Sequence, residues 1–207
     1  MLIPDALPVA GTAVLVRDSG GGGVEVLMIR RPERGSFADA WVFPGGKVEH
    51  RDRRDGSAEI DDARRAAIRE TQEEVGLEVD GLTVLSQWHP PAEAPTRIRT
   101  WFFLAPAPDA TPEPSPEEVV DYAWTTPAEA IERHATGEWT LFPPTWMTLH
   151  GLIAVTDAAS ALAASSAPTL FRTRVIPTDA GRDFAWEQGR LLTDRLPWRF
   201  VEERVAE

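Results

Sequence analysis

A chain of 207 residues is long for one minimal domain and short for two, so a single domain with an elaboration is the natural reading. Apolar residues at 43% and eight tryptophans supply ample core, while the absence of cysteine excludes disulfides, thiol catalysis and cysteine zinc sites. A formal charge of -12 argues against binding nucleic acid as a polymer, and no apolar run is long enough to span a bilayer.

The opening residues, Met1-Leu2-Ile3-Pro4-Asp5, contain no basic segment followed by an apolar one, so a soluble cytoplasmic protein is expected. Val9 to Arg17 and Val24 to Arg30 are rich in Val, Leu and Ile and predict strands. They are joined by Ser19-Gly20-Gly21-Gly22-Gly23. Helix amides are what make glycine loops bind phosphate, and no helix follows here, so a floppy hairpin turn is expected. Arg30, Arg31 and Arg34 come next and face either an anionic substrate or water.

The stretch from Trp41 to Leu77 carries the chemistry. Trp41-Val42-Phe43 predicts a strand that stops at Pro44-Gly45-Gly46, and Arg69 to Leu77 has a helix signature. At 3.6 residues per turn Glu70, Glu73 and Glu74 share one helix face. Ala63, Ala66 and Ala67 lie on the same side and leave room for something bulky before the acids. Ile60, Ile68, Thr71 and Val75 form the expected buried stripe, and Gly76 suits a left-handed cap. Three carboxylates at one spot repel unless a cation sits among them. Oxygen-only ligands suit a hard ion, Mg²⁺ or Mn²⁺. A solvated acidic face is the plain alternative.

Further on, Leu82 to Trp88 predicts a strand that His89-Pro90-Pro91 breaks. Thr96 to Ala105 predicts another, with Arg97 and Arg99 on one face, suited to phosphate recognition or simply exposed. Pro106 to Pro116 is a proline-rich acidic loop with no capacity to pack, and strand character returns from Glu117 to Trp124. Thr126-Pro127-Ala128-Glu129 is a capping box with proline at the first helical position. Beyond Phe142-Pro143-Pro144-Thr145, the pattern is mostly helical from Trp146 to Ala164. Phe171 to Ile176 and Phe184 to Leu192 then predict strands or a closing hairpin. His134 and His150 sit in helical contexts as structural or exposed residues, and nothing singles out His89.

The pair Gly45-Gly46, followed by an Arg-Glu-x-x-Glu-Glu-x-Gly-aliphatic run on a helix after a strand, resembles the Nudix hydrolases. Their box reads glycine, five residues, glutamate, seven residues, then that run. Here Gly46 and Arg69 stand 23 positions apart, about nine more than usual, and Thr71 replaces an aliphatic residue. The insertion, Arg51 to Gly56, reads as a surface loop. The first box glutamate falls on Asp52 counting from Gly46, or on Asp61 counting back from Arg69. A lengthened box resembles the coenzyme-A-type branch, as does Pro143-Pro144-Thr145 before a helix. The upstream run Ile29-Arg30-Arg31-Pro32 with Ser36-Phe37-Ala38 matches that branch only loosely.

The resemblance implies an α+β Nudix fold: an α/β/α sandwich around a mixed sheet, core about 8–136, with a C-terminal helical extension over about 137–207. It implies hydrolysis of a nucleoside diphosphate linked to a moiety X. Mg²⁺ or Mn²⁺ is expected on Glu70 and Glu74, with Glu73 in support and the Gly45 carbonyl. Glu73 and Arg69 enter the catalytic set, Arg69 as the residue that orients a box carboxylate. The base that deprotonates the attacking water is expected at Glu118, or else Glu117. Arg30, Arg31, Arg97 and Arg99 are the candidates for contacting substrate. Coenzyme A or a derivative is the first expected substrate, with ADP-ribose or another sugar or dinucleotide diphosphate as the alternative. A domain that senses a nucleotide without cleaving it is the rival from another class. No nucleic-acid polymer or membrane partner is expected, and a homodimer stays open.

Overall fold

The computed structural model describes residues 7–34, 37–163 and 167–202. Met1–Asp5, Ser36 of the upstream run and Ala164 at the end of the expected C-terminal helix lie outside the described residues.

Two long strands, β1 (Val9–Asp18) and β2 (Val24–Arg30), form a hairpin only near their turn, where Val16–Asp18 meet Val24–Val26. Beyond that the strands part, and the segment holding the glycine pair enters between them. Its first piece, β3 (Trp41–Val42), pairs with the end of β2; its second, β4 (Gly45–Lys47), pairs with Ala10–Thr12 of β1. Pro44 has no amide proton for the ladder, but its carbonyl accepts from the Ala13 amide at 2.9 Å. The expected strand Trp41–Phe43 is thus two short strands hinged at the proline. The hinge puts Gly45 and Gly46 in the middle of the sheet.

Around this wedge the sheet is mixed. β6 (Arg99–Pro106) runs parallel to β1, β5 (Thr83–His89) antiparallel to β6, and β7 (Asp121–Thr125) antiparallel to β2. Alternate residues of β1 and β2 face opposite layers, and both sets are apolar, as befits strands buried on both sides. Ala13, Leu15, Leu27 and Ile29 face α1 (Glu59–Val75), whereas Val14, Val16, Val26 and Met28 face a tryptophan-rich layer. That second layer holds α2 (Pro127–Ala135) and α3 (Pro143–Leu152), with Trp41 and Trp139 stacked 3.9 Å apart. The result is the expected sandwich with helices on both faces. The capping box at Thr126 and Glu129 is present on both its sides.

Ala63, Ala66 and Ala67 do not make room for a ligand. All three are fully buried, and α1 lies so close to β1 that a Cβ on Gly11 would run into the Ala63 carbonyl. Small side chains on both partners allow this approach. The stripe is therefore alanine-centred, with Thr71 and Val75 buried and Ile60 and Ile68 only partly so.

Two strands begin later than the sequence suggests: β6 at Arg99 rather than Thr96, and β7 at Asp121 rather than Glu117. The loop between them also does more than expected. Its Glu113 and Ser115 amides donate to the carbonyls of Val75 and Glu74, both at 2.8 Å, and so cap the end of α1. Gly76 there has φ 68°, the left-handed cap the sequence predicts.

The extension is helical only at first. After α3 and the short α4 (Ala158–Ala163), the expected strand Phe171–Ile176 divides at Thr173. Its first half, β8 (Thr169–Arg172), joins the main sheet parallel to β5, and Phe171 stacks on Trp88 at 3.9 Å. Its second half, β9 (Arg174–Thr178), opens a separate antiparallel sheet with β10 (Gly181–Trp186), β11 (Gly189–Leu192) and β12 (Arg199–Glu202). Trp186 and Leu191 of that sheet are buried in the tryptophan-rich core. The expected hairpin of Phe184 to Leu192 is β10–β11.

Candidate active site

Three local features bring the box together: the proline hinge, the close packing of α1 on β1, and the cap on the end of α1. The centre is Glu74, on the last turn of α1. It is 2% exposed; its Oε2 accepts from the Gly45 amide at 2.9 Å and its Oε1 from Arg31 Nη1 at 3.2 Å. Burial pushes its pKa up to about 8. The Gly45 amide and Arg31 oppose that shift, and the charges of Glu70 and Glu118 add to it. Glu70, one turn earlier, is also raised, first by burial, against the pull of Arg69. Its carboxylate lies over Gly46, where a Cβ would overlap it. A side chain at this position displaces the Glu70 carboxylate.

Arg69 gathers the remaining acids. Its Nε and Nη2 donate to the two carboxylate oxygens of Asp52 at 3.0 and 2.9 Å, a parallel fork. Its Nη1 lies 2.8 Å from Glu70 Oε1 and 2.7 Å from Glu73 Oε2, and its Nη2 also reaches the Lys47 carbonyl at 3.0 Å. Asp52, on a single 3₁₀ turn (His50–Asp52), is 3% exposed. Burial alone would raise its pKa, but the Arg69 fork and the Glu49 amide hold it below the usual carboxylate range. Asp61 pairs instead with Arg64 at 2.6 Å on the outer side of the helix. Of the two residues that counting left open, Asp52 is the one beside Arg69. The insertion is thus not wholly a surface loop, because Arg51 also reaches Glu73 at 2.9 Å. Its inward role follows from one buried acid that composition does not distinguish from its exposed neighbours.

The other expected residues fall into three groups. Glu117 and Glu118 are exposed, just past the segment that caps α1. Glu118 adds negative charge at both Glu70 and Glu74, while the Glu117 carbonyl accepts from Arg34 at 3.1 Å. Arg30 is held by Asp39, with its Nε 2.8 Å from Oδ1, so of this pair only Arg31 reaches the carboxylates. Arg97 and Arg99 do not belong to the cluster. Arg97 precedes β6 and is exposed, so the two arginines share no strand face. Arg99 is ion-paired to Glu59 in the first turn of α1, whose carboxylate also takes the Trp101 indole N–H at 2.9 Å. Glu59 lies roughly 16 Å along the helix axis from Glu70 at the usual rise per residue. Sequence spacing gives no sign of this pairing, because the partners of Glu59 come from a strand far along the chain.

His134 is buried, with Nδ1 3.0 Å from the Trp139 carbonyl, and His150 is exposed, stacked on Trp146. Neither adjoins the acids. Among the described residues no helix is long and apolar enough to cross a membrane.

Residues 7–144 match the family model of the NUDIX domain. No curated protein matches the chain. A NUDIX hydrolase from Alicyclobacillus acidocaldarius shares the fold with a TM-score of 0.70 at 22% identity, covering 79% of this chain and 99% of that one. A MutT NUDIX hydrolase from Burkholderia pseudomallei gives 0.54 at 24% identity, over 70% and 98%. The NUDIX domain of Shewanella oneidensis NrtR, complexed with ADP ribose, gives 0.55 at 16% identity, over 72% and 90%. Such identities speak for the fold alone; the family model, matched over most of the chain, decides membership. The chain belongs to the Nudix family and is a Nudix hydrolase, an enzyme of the class that acts on nucleoside diphosphate derivatives.

Proposed function

We propose that the protein hydrolyses the diphosphate linkage of a small nucleoside diphosphate derivative with Mg²⁺ or Mn²⁺. The observation that carries this reading is the Glu74 carboxylate, fully buried beside Glu70 and against Gly45. A buried carboxylate with one amide and one guanidinium for company is poorly compensated, and the acids around it offer only oxygen donors. That donor set fits a hard divalent cation. Glu70 and Glu74 would hold it, with Glu73 in support and the Gly45 carbonyl as a further donor. When bound, such a cation neutralises diphosphate charge and makes water a better nucleophile.

The residues of the chain do the rest. Arg69 fixes the orientation of Glu70 and Glu73 from its anchor on Asp52. Arg31 offers a guanidinium at the diphosphate. Glu118, exposed beside the acids, takes the proton of the attacking water, with Glu117 as its alternative. Phosphoryl transfer asks chiefly for this positioning and charge neutralisation.

Two readings of X rest on different observations. The lengthened box speaks for coenzyme A or an acyl derivative, cut into 3′,5′-ADP and a 4′-phosphopantetheine. The pairing of Arg99 with Glu59 removes one positive charge a 3′-phosphate would need, and favours ADP-ribose or another sugar or dinucleotide diphosphate. The test compares kcat/KM for coenzyme A, dephospho-coenzyme A and ADP-ribose with Mg²⁺, with Mn²⁺ and in excess chelator. Turnover is expected only with metal, and full activity in chelator overturns the proposal. A gain from the 3′-phosphate selects coenzyme A; no gain, with faster cleavage of ADP-ribose, selects the second reading.

A further inference from the structure

Among the described residues no three acidic or histidine side chains are gathered as a ready metal cluster. Two arginines hold the box acids, and they hold them very differently. Arg69 is locked by the Asp52 fork and the Lys47 carbonyl, in addition to Glu70 and Glu73. Arg31, one residue past β2, touches Glu74 through Nη1 alone, at 3.2 Å. That is long for a charge-assisted bond, which is usually about 2.7–2.9 Å. Its Nε is buried with no acceptor among the described residues. The guanidinium only partly compensates Glu74 and is itself poorly satisfied.

We infer that Arg31 is an exchangeable counter-ion, resting on Glu74 while that carboxylate has no metal and released to the diphosphate when a divalent cation takes Glu74. This rests on the reading above that Glu74 is a metal ligand. Two cations at one buried carboxylate repel each other, so the cation and Arg31 compete for it. Linkage makes the competition reciprocal: whatever holds Arg31 elsewhere strengthens metal binding. A diphosphate supplies acceptors for the freed Nη1 and the orphaned Nε. The cation alone therefore binds weakly and the cation with diphosphate binds well. Arg69, anchored by the Asp52 fork and the Lys47 carbonyl, keeps its place when a cation takes Glu70.

Mn²⁺ binding without substrate, followed by electron paramagnetic resonance, tests this on the wild type, R31M, R31K and E74Q. R31M is expected to bind Mn²⁺ on the order of tenfold more tightly than the wild type, the size of one charged hydrogen bond. R31K stays near the wild type and E74Q loses affinity. Methylenediphosphonate should bind metal-loaded R31M less tightly than the metal-loaded wild type. Unchanged or weaker Mn²⁺ binding by R31M overturns the exchange while leaving the metal site standing. Absence of Mn²⁺ binding to wild type and R31M alike overturns the exchange and the metal reading together. Should R31M not fold, arginine Nε–H resonances of the wild type decide. Saturating Mg²⁺ should move that of Arg31 and not that of Arg69, and a stationary Arg31 signal overturns the proposal.

Discussion

Arg69 and Asp52 face each other as two parallel forks, with both nitrogen–oxygen pairs at 2.9 to 3.0 Å and Asp52 almost wholly buried. The pair ties the inserted loop to the helix that carries the acids. A buried partner of a charged group is costly to lose, since the other charge stays behind. Asp52→Asn keeps the shape and removes the charge, so about 1–3 kcal/mol of stability should go, measured by urea unfolding. Activity should fall with it, because Arg69 loses the fork that sets its angle towards Glu70 and Glu73. Wild-type stability and kcat in this variant would show that Asp52 anchors nothing.

Two glycines are expected to fail in different ways. At Gly11 a Cβ meets the Ala63 backbone, which cannot step aside without moving α1. Gly11→Ala should cost about 1–3 kcal/mol, as overpacking does. At Gly46 the Cβ meets the Glu70 carboxylate, the far end of a flexible side chain. Gly46→Ala should thus keep near-wild-type stability and lose turnover. Paired melting and kinetic measurements on both variants check the contrast; a stable, fully active Gly46→Ala would refute the placement of Glu70.

These cases mark what the sequence can carry. Local signals are legible: the strands at Val9 and Val24, the Thr126 capping box and the Gly76 cap each depend on neighbours within a few residues. The acid face of α1 is legible for the same reason, from helical spacing. Relations between distant segments are not. Ala63 reads as open space until Gly11 of β1 is laid against it. The loop Pro106–Pro116 reads as idle until its amides are found on the Glu74 and Val75 carbonyls. Arg99 reads as a substrate contact until Glu59 claims it. Periodicity places a side chain on a face; it does not say which partner meets it.

Acid should weaken the α2 layer through His134. Burial holds its pKa below the ordinary value near 6.5, against the Trp139 carbonyl, so the folded protein keeps the ring neutral, with Nδ1–H donating. The unfolded chain takes up the proton first as pH falls through about 6.5. The stability contribution is therefore complete above that pH and shrinks below it, by at most about 1.4 kcal/mol per pH unit. His134→Asn lacks this titration. The difference in unfolding free energy between wild type and variant should change between pH 7.5 and 5.5 in that direction. A flat difference would mean that His134 titrates normally.

The position of Glu118 follows from the cap on α1. The Ser115 amide binds the Glu74 carbonyl, and the amides of Glu118 and Val119 fold back onto the Ser115 carbonyl at 3.1 and 2.9 Å. Glu118 is thereby pinned three residues past Ser115, which contacts the end of the helix that carries the acids, and its charge is felt by Glu70 and Glu74. It remains exposed, so water can reach it. Glu117 sits beside it, with its carbonyl turned to Arg34. A general base in this place is worth about 10²–10⁴ in rate. Glu118→Gln should lower kcat by that order with KM and melting temperature nearly unchanged, and Glu117→Gln should stay within a few-fold of wild type. If both variants keep near-normal kcat, the proton goes elsewhere, and a box glutamate becomes the next residue to replace.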